Sequence, residues 1–281
     1  MQNRYRLIFA AIALAAFALA FAAVGASGPS DAEGPDNSCG NGLTWAYDGD
    51  TNTLTIVFTG NPALDDGKMN DIDDIKDQPW AVFRKEIKYL VIGEGVTSIG
   101  DYAFCSCINL KGDQDGNLMI PDSVTKIGIH AFHSCAVVTV SFPINDSFDT
   151  ISESMFHDNQ SLESVEIPKS VTKIDKNAFY NCENLTVLTF SETSALTTIG
   201  NGAFFSCDNL KGDKDGNLII PDSVTTIVDE AFSNCALTTV VIPNSVTTIG
   251  WHVFWGLTFH DYDNEWKGVE STAENLKGKT W

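Results

Sequence analysis

Several groupings in the 281-residue chain carry residue types that could do chemistry. Asp213-Lys214-Asp215-Gly216-Asn217 opens like a calcium-binding loop, and Asp113 to Asn117 opens in the same way. Closely spaced carboxylates suit a hard cation. The glycine that such a loop needs at its sixth position is Leu218, however, and its twelfth position is Val224 rather than Glu. A turn-forming insertion is the favoured reading. His130 and His133 have a zinc-like spacing, but no Cys or acid completes an obvious tetrahedron. They read as surface or ladder histidines, so no metal is assigned. Ser, His and Asp occur without a nucleophile motif or a glycine-rich phosphate loop. No catalytic residue and no cofactor is therefore expected, and the chain does not read as an enzyme. Of the seven cysteines, Cys107, Cys135, Cys182, Cys207 and Cys235 each fall three residues after a Phe. Such a column predicts buried thiols acting as small apolar groups. Cys39 and Cys105 lie outside it and are the better candidates for a disulfide.

The elements that position these residues are repeats. Ser123 to Cys135 (SVTKIGIHAFHSC) returns in large part at 170–182, 223–235 and 245–257. Phe104, Phe132, Phe156, Phe179, Phe204, Phe232 and Phe254 form a ruler with gaps of 28, 24, 23, 25, 28 and 22 residues. A period near 23 predicts a solenoid. Within a unit, runs such as Val165-Glu166-Ile167 alternate inward and outward like a strand. Pro121, Pro143, Pro168, Pro221 and Pro243 turn the chain, and the Val-Thr-x-Ile portion makes a second short extended run. The Phe segment is too short for a stable α-helix and predicts a tight helical turn. The expected fold is a repeat solenoid, mainly β, in which no single turn buries enough to fold alone.

A longer period overlies the short one. Residues 99–136 and 199–236 match closely at an offset of 100, and both carry the five-residue insertion that makes a 28-residue turn. This implies duplication of a four-turn block. The third turn is the most divergent, with Phe148 for the usual Val, Met155 for Ala and Asn159 for Cys.

The ends differ from the middle. Residues 1–26 carry Arg4 and Arg6 and then an apolar run ending Val24-Gly25-Ala26, which reads as a signal peptide or an uncleaved membrane anchor. Residues 27–86 read as a lead and N-terminal cap: a hairpin of Leu43–Tyr47 and Leu54–Phe58, an acidic loop, and a short helix at Trp80 to Ile87 with Trp80 and Phe83 facing inward. Seven solenoid turns follow over 87–257, and 258–281 reads as a C-terminal cap. The formal net charge of −20 argues against nucleic acid and against anionic membranes. Of the glycosylation sequons at Asn145, Asn159 and Asn184, the second falls in the expected buried column.

The unit I-P-x-S-V-T-x-I-G-x-x-A-F-x-x-C resembles the BspA-type leucine-rich repeats of microbial cell-surface proteins, over about Leu90 to Leu257. The stretch from Cys39-Gly40 to Trp45, the Leu54-Thr55-Ile56 strand and Trp80 are similar to the segment that precedes such repeats. The resemblance implies a right-handed solenoid with a parallel sheet on one face, and a role in surface attachment or partner binding. It also implies that Cys107, Cys135, Asn159, Cys182, Cys207 and Cys235 are buried and bond backbone, while Leu257 marks the end.

Stacking sets equivalent positions side by side, so columns carry the remaining information. The outward position of the first strand reads Val91, Met119, Ser141, Glu166, Thr189, Ile219 and Val241. Four of these seven are apolar where a solvated sheet is polar. The position after each Phe reads Cys105, His133, His157, Tyr180, Phe205, Ser233 and Trp255. Its aromatics either grip a partner or, the favoured reading, pack on the neighbouring turn. The expectation is a non-catalytic secreted or cell-surface binding protein that offers its sheet face to an extracellular protein or glycan. The alternative is a structural spacer of the cell envelope without a specific ligand.

Overall fold

The structure is a computed structural model, and it describes residues 37–257. The expected signal or anchor segment, the expected lead up to residue 36 and the expected cap at 258–281 lie outside the described residues. Among the described residues no helix is long and apolar enough to cross a membrane.

The cap begins with β1 (Ser38–Gly40), β2 (Leu43–Asp48) and β3 (Thr53–Phe58). The expected hairpin is present: β2 and β3 run antiparallel, with Trp45 opposite Ile56. β3 then pairs in parallel with β4 (Tyr89–Ile92), the first strand of the solenoid, so the cap is continuous with the stack. Between them lie two 3-10 helices, Ile75–Asp77 and Ala81–Phe83, shorter than the helix expected at Trp80 to Ile87.

Each turn contributes two short strands. The first series is Tyr89–Ile92, Asn117–Met119, Thr139–Ser141, Ser164–Ile167, Val187–Phe190, Asn217–Ile219 and Thr239–Val241. Their buried members, such as Leu118, Val165 and Leu188, alternate with outward residues as period-2 patterning requires. The series is not one continuous sheet. It splits into three at the two insertion-bearing turns, where single bridges, Tyr89 to Gly112 and Val187 to Gly212, replace strand pairing. The cause is local. Gly112 and Gly212 hold φ of 102° and 107°, and a Cβ there would stand 2.4 and 2.3 Å from the carbonyl oxygens of Asn117 and Asn217.

The second series, from Ser98–Ile99 to Thr248–Ile249, pairs in parallel and breaks once, between Lys126–Ile127 and Thr150–Ile151. There the divergent third turn substitutes a side chain for backbone. Asn145 Nδ2 donates to the carbonyls of Asp122 (2.9 Å) and Val124 (2.7 Å), and its Oδ1 accepts from the amides of Ser147 and Phe148. Elsewhere a threonine ladder reinforces the pairing. The hydroxyls of Thr172, Thr197, Thr225 and Thr247 each donate to the carbonyl of the residue one turn earlier.

The Phe segment departs from the helical turn expected. Residues two before and two after each Phe hold left-handed φ, as at Tyr102 (55°) and Ser106 (61°) or Ser154 (53°) and Asp158 (59°). Two such residues four apart interrupt any helix. The segment is instead a ribbon of tight turns whose amides alternate in target. Ala103, Cys105 and Cys107 donate three residues back, while Tyr102, Phe104 and Ser106 donate to Ile129, Ala131 and His133 of the next turn. Asn, Asp, His and Gly at many of these flanking positions suit the left-handed region.

Inside the ribbon the Phe rings stack. From Phe104 to Phe254 successive centroids are 5.1 to 5.8 Å apart and nearly parallel, and Trp80 extends the stack at 5.1 Å from Phe104. Trp80, expected to face inward, is fully buried, whereas Phe83 is only half-buried. The cap also completes the ribbon's hydrogen bonds. The carbonyls of Asp101, Ala103 and Cys105 have no earlier turn to supply donors. They receive the Ile72 amide (3.0 Å), the Trp80 indole N–H (3.0 Å) and the Gln78 side-chain amide (3.1 Å).

Candidate functional site

Three surfaces carry the residues singled out from the sequence. The first is the outward column of the first strands. Met119 lies opposite Ser141, Glu166 opposite Thr189, and Ile219 opposite Val241, while Val91 lies opposite Thr55 of the cap. Because the sheet is split in three, the four apolar members do not form one apolar ladder; only Ile219 and Val241 are paired with each other. Glu166 and Ile219 are exposed, and Val91, Met119, Ser141, Thr189 and Val241 are half-buried. Met119 is tied locally, because Asn117 Nδ2 donates to its sulfur at 2.7 Å while Asn117 Oδ1 accepts from Thr139.

The second surface is the column after each Phe. His133, His157, Tyr180 and Phe205 pack in sequence, with centroids 4.6, 4.7 and 4.9 Å apart, the first pair tilted, the second edge-on and the third stacked, as the packing alternative anticipates. Ser233 interrupts the run, and Trp255 is exposed and stacks on His252.

Within this column the structure assembles a cluster that spacing along the sequence does not suggest. His130 meets His133 edge-on at 5.4 Å and stacks on Tyr102 at 4.7 Å. His133 meets His157 of the next turn, Nδ1 to Nδ1, at 3.0 Å. Asp158 Oδ2 stands 3.8 Å from His133 Nε2 and 3.9 Å from His157 Nδ1. Asn181, one turn further on, donates to the other carboxylate oxygen of Asp158 at 2.7 Å. Burial pushes the His133 imidazole down to about 4, with His157 adding to the shift, and burial also lowers His157 and His130. The column itself holds the signal, since it places His133 one turn before His157. Spacing along the sequence hides it, because it joins His133 to His130.

The third surface is the pair of insertions. Asp113 Oδ1 accepts the amides of Asp115 (2.9 Å) and Asn117 (2.8 Å), and Asp213 Oδ1 accepts those of Asp215 (2.8 Å) and Asn217 (3.0 Å). These bonds close turns, in line with the turn-forming reading. The amide of Asn217, first among the causes, holds the Asp213 carboxyl below its ordinary range.

A family model described as BspA type leucine rich repeat region matches six copies, over residues 79–211 and 213–265. The chain belongs to the BspA-type leucine-rich repeat family. No curated protein matches the chain. Among solved structures it is similar to a leucine-rich repeat protein from Eubacterium ventriosum, at 24% identity over 75% of this chain and 67% of that one, with a TM-score of 0.48. It is also similar to the leucine rich repeat protein of T. pallidum, at 21% identity over 74% and 79% of the two chains, TM-score 0.43. A leucine rich cell surface protein from Faecalibacterium prausnitzii matches at 24% identity over 80% and 75%, TM-score 0.38.

The column that the BspA-type resemblance marked as backbone-bonding behaves so in five turns. Cys135, Cys182, Cys207 and Cys235 direct Sγ to the carbonyls of Phe104, Phe156, Phe179 and Phe204 at 3.2 to 3.3 Å, and Asn159 Nδ2 reaches Phe132 at 2.7 Å. All seven cysteines are buried free thiols, including Cys39 and Cys105, the pair considered for a disulfide. Desolvation raises Cys39 and Cys107 to about 12, which keeps them protonated and unreactive at neutral pH.

Proposed function

We propose that this BspA-type repeat protein is a non-catalytic binding or adhesion protein, secreted or held at the cell surface, and that its first-strand face takes an extracellular protein or glycan partner. The observation that carries this reading is the division of labour between faces. The interior is filled by the Phe stack and the hydrogen-bonded Cys/Asn column, whereas the first strands direct exposed side chains such as Glu166 and Ile219 away from it, in fixed parallel register. Such a face, lined by Val91, Met119, Glu166, Thr189, Ile219 and Val241, offers contact area at no folding cost to the partner-free protein. The exported leader read at residues 1–26 and the family's surface setting support the location.

The test is the pair Met119→Asp with Ile219→Asp, assayed for attachment to host cells or extracellular matrix alongside thermal melting. Attachment is expected to drop while the melting transition stays within a few degrees. Full attachment by a folded double variant would overturn the sheet-face reading and leave the spacer role.

A further inference from the structure

We propose that His133, His157 and Asp158 form a binding site for a divalent transition-metal ion of the zinc type, held by two imidazole nitrogens and one carboxylate oxygen. One ligand atom from each residue lies within 4.8 Å of the others. A tetrahedral ion with bonds near 2.0–2.1 Å sets its ligand atoms about 3.3 Å apart. His133 Nδ1 and His157 Nδ1 stand 3.0 Å apart, close to that value, and Asp158 Oδ2 stands 3.9 Å from His157 Nδ1 and 3.8 Å from the other His133 nitrogen, so rotation of the carboxylate and the His133 ring brings one atom of each residue to a common centre.

The surroundings orient the ligands. Asn181 Nδ2 holds Asp158 Oδ1, which leaves Oδ2 directed at the imidazoles; a ligating carboxylate fixed by an outer partner is the common arrangement at metal sites. Tyr180 packs edge-on against His157 at 4.7 Å, and His130 packs edge-on against His133 at 5.4 Å. The backbones are locked as well, because Phe132 and Ser134 donate to the carbonyls of Met155 and His157. The ligands therefore ride on two turns whose spacing is set by the ribbon.

The arrangement occurs at one place among the described turns. The two positions after the ruler Phe hold Tyr180 and Asn181, Phe205 and Ser206, Ser233 and Asn234, and Trp255 and Gly256 in the later turns, none of which combines imidazole with carboxylate. Two imidazoles and one carboxylate favour zinc, nickel or copper over calcium or magnesium, which prefer all-oxygen shells. The rings are 22% and 23% exposed and the carboxylate 36%, so an ion enters from solvent and keeps an open position for water or a partner's side chain.

The test uses the untagged full chain, stripped with chelator and titrated with zinc chloride by calorimetry, with circular dichroism on every variant. One-to-one saturable binding is expected. His157→Gln and Asp158→Asn should each weaken it at least tenfold, and Asn181→Ala about 10–100-fold. His252→Gln, in the last described turn, should leave it unchanged. Cobalt chloride should give tetrahedral visible bands without thiolate charge transfer. Absence of saturable binding would overturn the site. So would undiminished binding by a folded His157→Gln protein, or thiolate charge transfer assigning the ion to cysteine.

Discussion

Cys135 directs its thiol to the carbonyl of Phe104 at 3.3 Å, and Cys235 directs its thiol to that of Phe204 at the same distance. The rings of Phe104 and Phe132 lie 5.2 Å apart, as do those of Phe204 and Phe232. The two insertions close with the same Asp-to-amide bonds. Residues 99–136 and 199–236 are thus one scaffold built twice. Their surfaces differ. His130 and His133 correspond to Glu230 and Ser233, Tyr102 to Gly202, and Ile129 to Asp229. The junction with the next turn differs too: the second-strand pairing breaks after Lys126–Ile127, whereas Thr226–Ile227 pairs on both sides. The buried spacing tolerates little change, because a stacked ring or a bonded thiol is shared with its neighbours. The outward positions differ in chemistry, and the first block supplies His133 to the histidine cluster where the second has Ser233.

The comparison can be broken most forcefully at the spine. Phe132→Ala and Phe232→Ala should each cost about 3–5 kcal/mol in urea unfolding, since both remove a fully buried ring from between two others. A small loss at Phe232 alone would show that the second block is not the structural equal of the first.

The glycines at the insertion tips should separate the blocks by a smaller amount. Gly116 and Gly216 share φ near 85°, so alanine strains both by roughly 1–2 kcal/mol. Only at Gly116 would the added Cβ strike a neighbour, Val138 Cγ2 at 2.6 Å, while nothing lies within 4 Å at Gly216. Gly116→Ala should therefore melt lower than Gly216→Ala, and equal melting temperatures would mean that Val138 yields freely.

The smallest effect concerns pH. His133, lowered to about 4, stays neutral in the fold where the unfolded chain takes up a proton, and His130 and His157 are lowered in the same sense. Stability therefore falls as pH drops from above the ordinary histidine value toward 4, and the loss levels off below it. Asp158 opposes the shift of His133 and His157, and Glu153 and Asp101 oppose that of His130. His133→Ser, which copies the second block, should flatten part of the stability-versus-pH curve between those limits. A curve that overlays the wild-type one would assign the dependence to other groups.

Much of this architecture is legible in the residues. The Phe ruler, the Cys/Asn column and the alternation of strands such as Val165-Glu166-Ile167 follow from spacing alone, because each is a buried position repeated at a fixed interval. The sheet breaks are not legible in that way. They depend on the left-handed turn that Gly112 and Gly212 make against Asn117 and Asn217, a local conformation that spacing does not reveal, and on Asn145 taking over backbone bonds to residues more than twenty positions earlier. The Phe segment reads as helical from its residues because its left-handed positions, such as Tyr102, Ser154 and Glu230, include types that rarely signal that conformation. Of the candidate sites, the outward column can be written down residue by residue, but its division into three cannot. The meeting of His133 with His157 lies across turns, where sequence neighbours are a poor guide to neighbours in space.

The ribbon of the first turn accepts three hydrogen bonds from Ile72, Trp80 and Gln78 where a preceding turn would otherwise supply them. Every later junction repeats the same donor-to-acceptor join. Such a stack can be lengthened or shortened by whole blocks without redesigning its start. Each added turn extends the reach by about one strand spacing, so copying a four-turn block moves the far end outward by about 20 Å. For a chain displayed on a surface, duplication is then a dial for distance, set independently of whatever the exposed side chains hold.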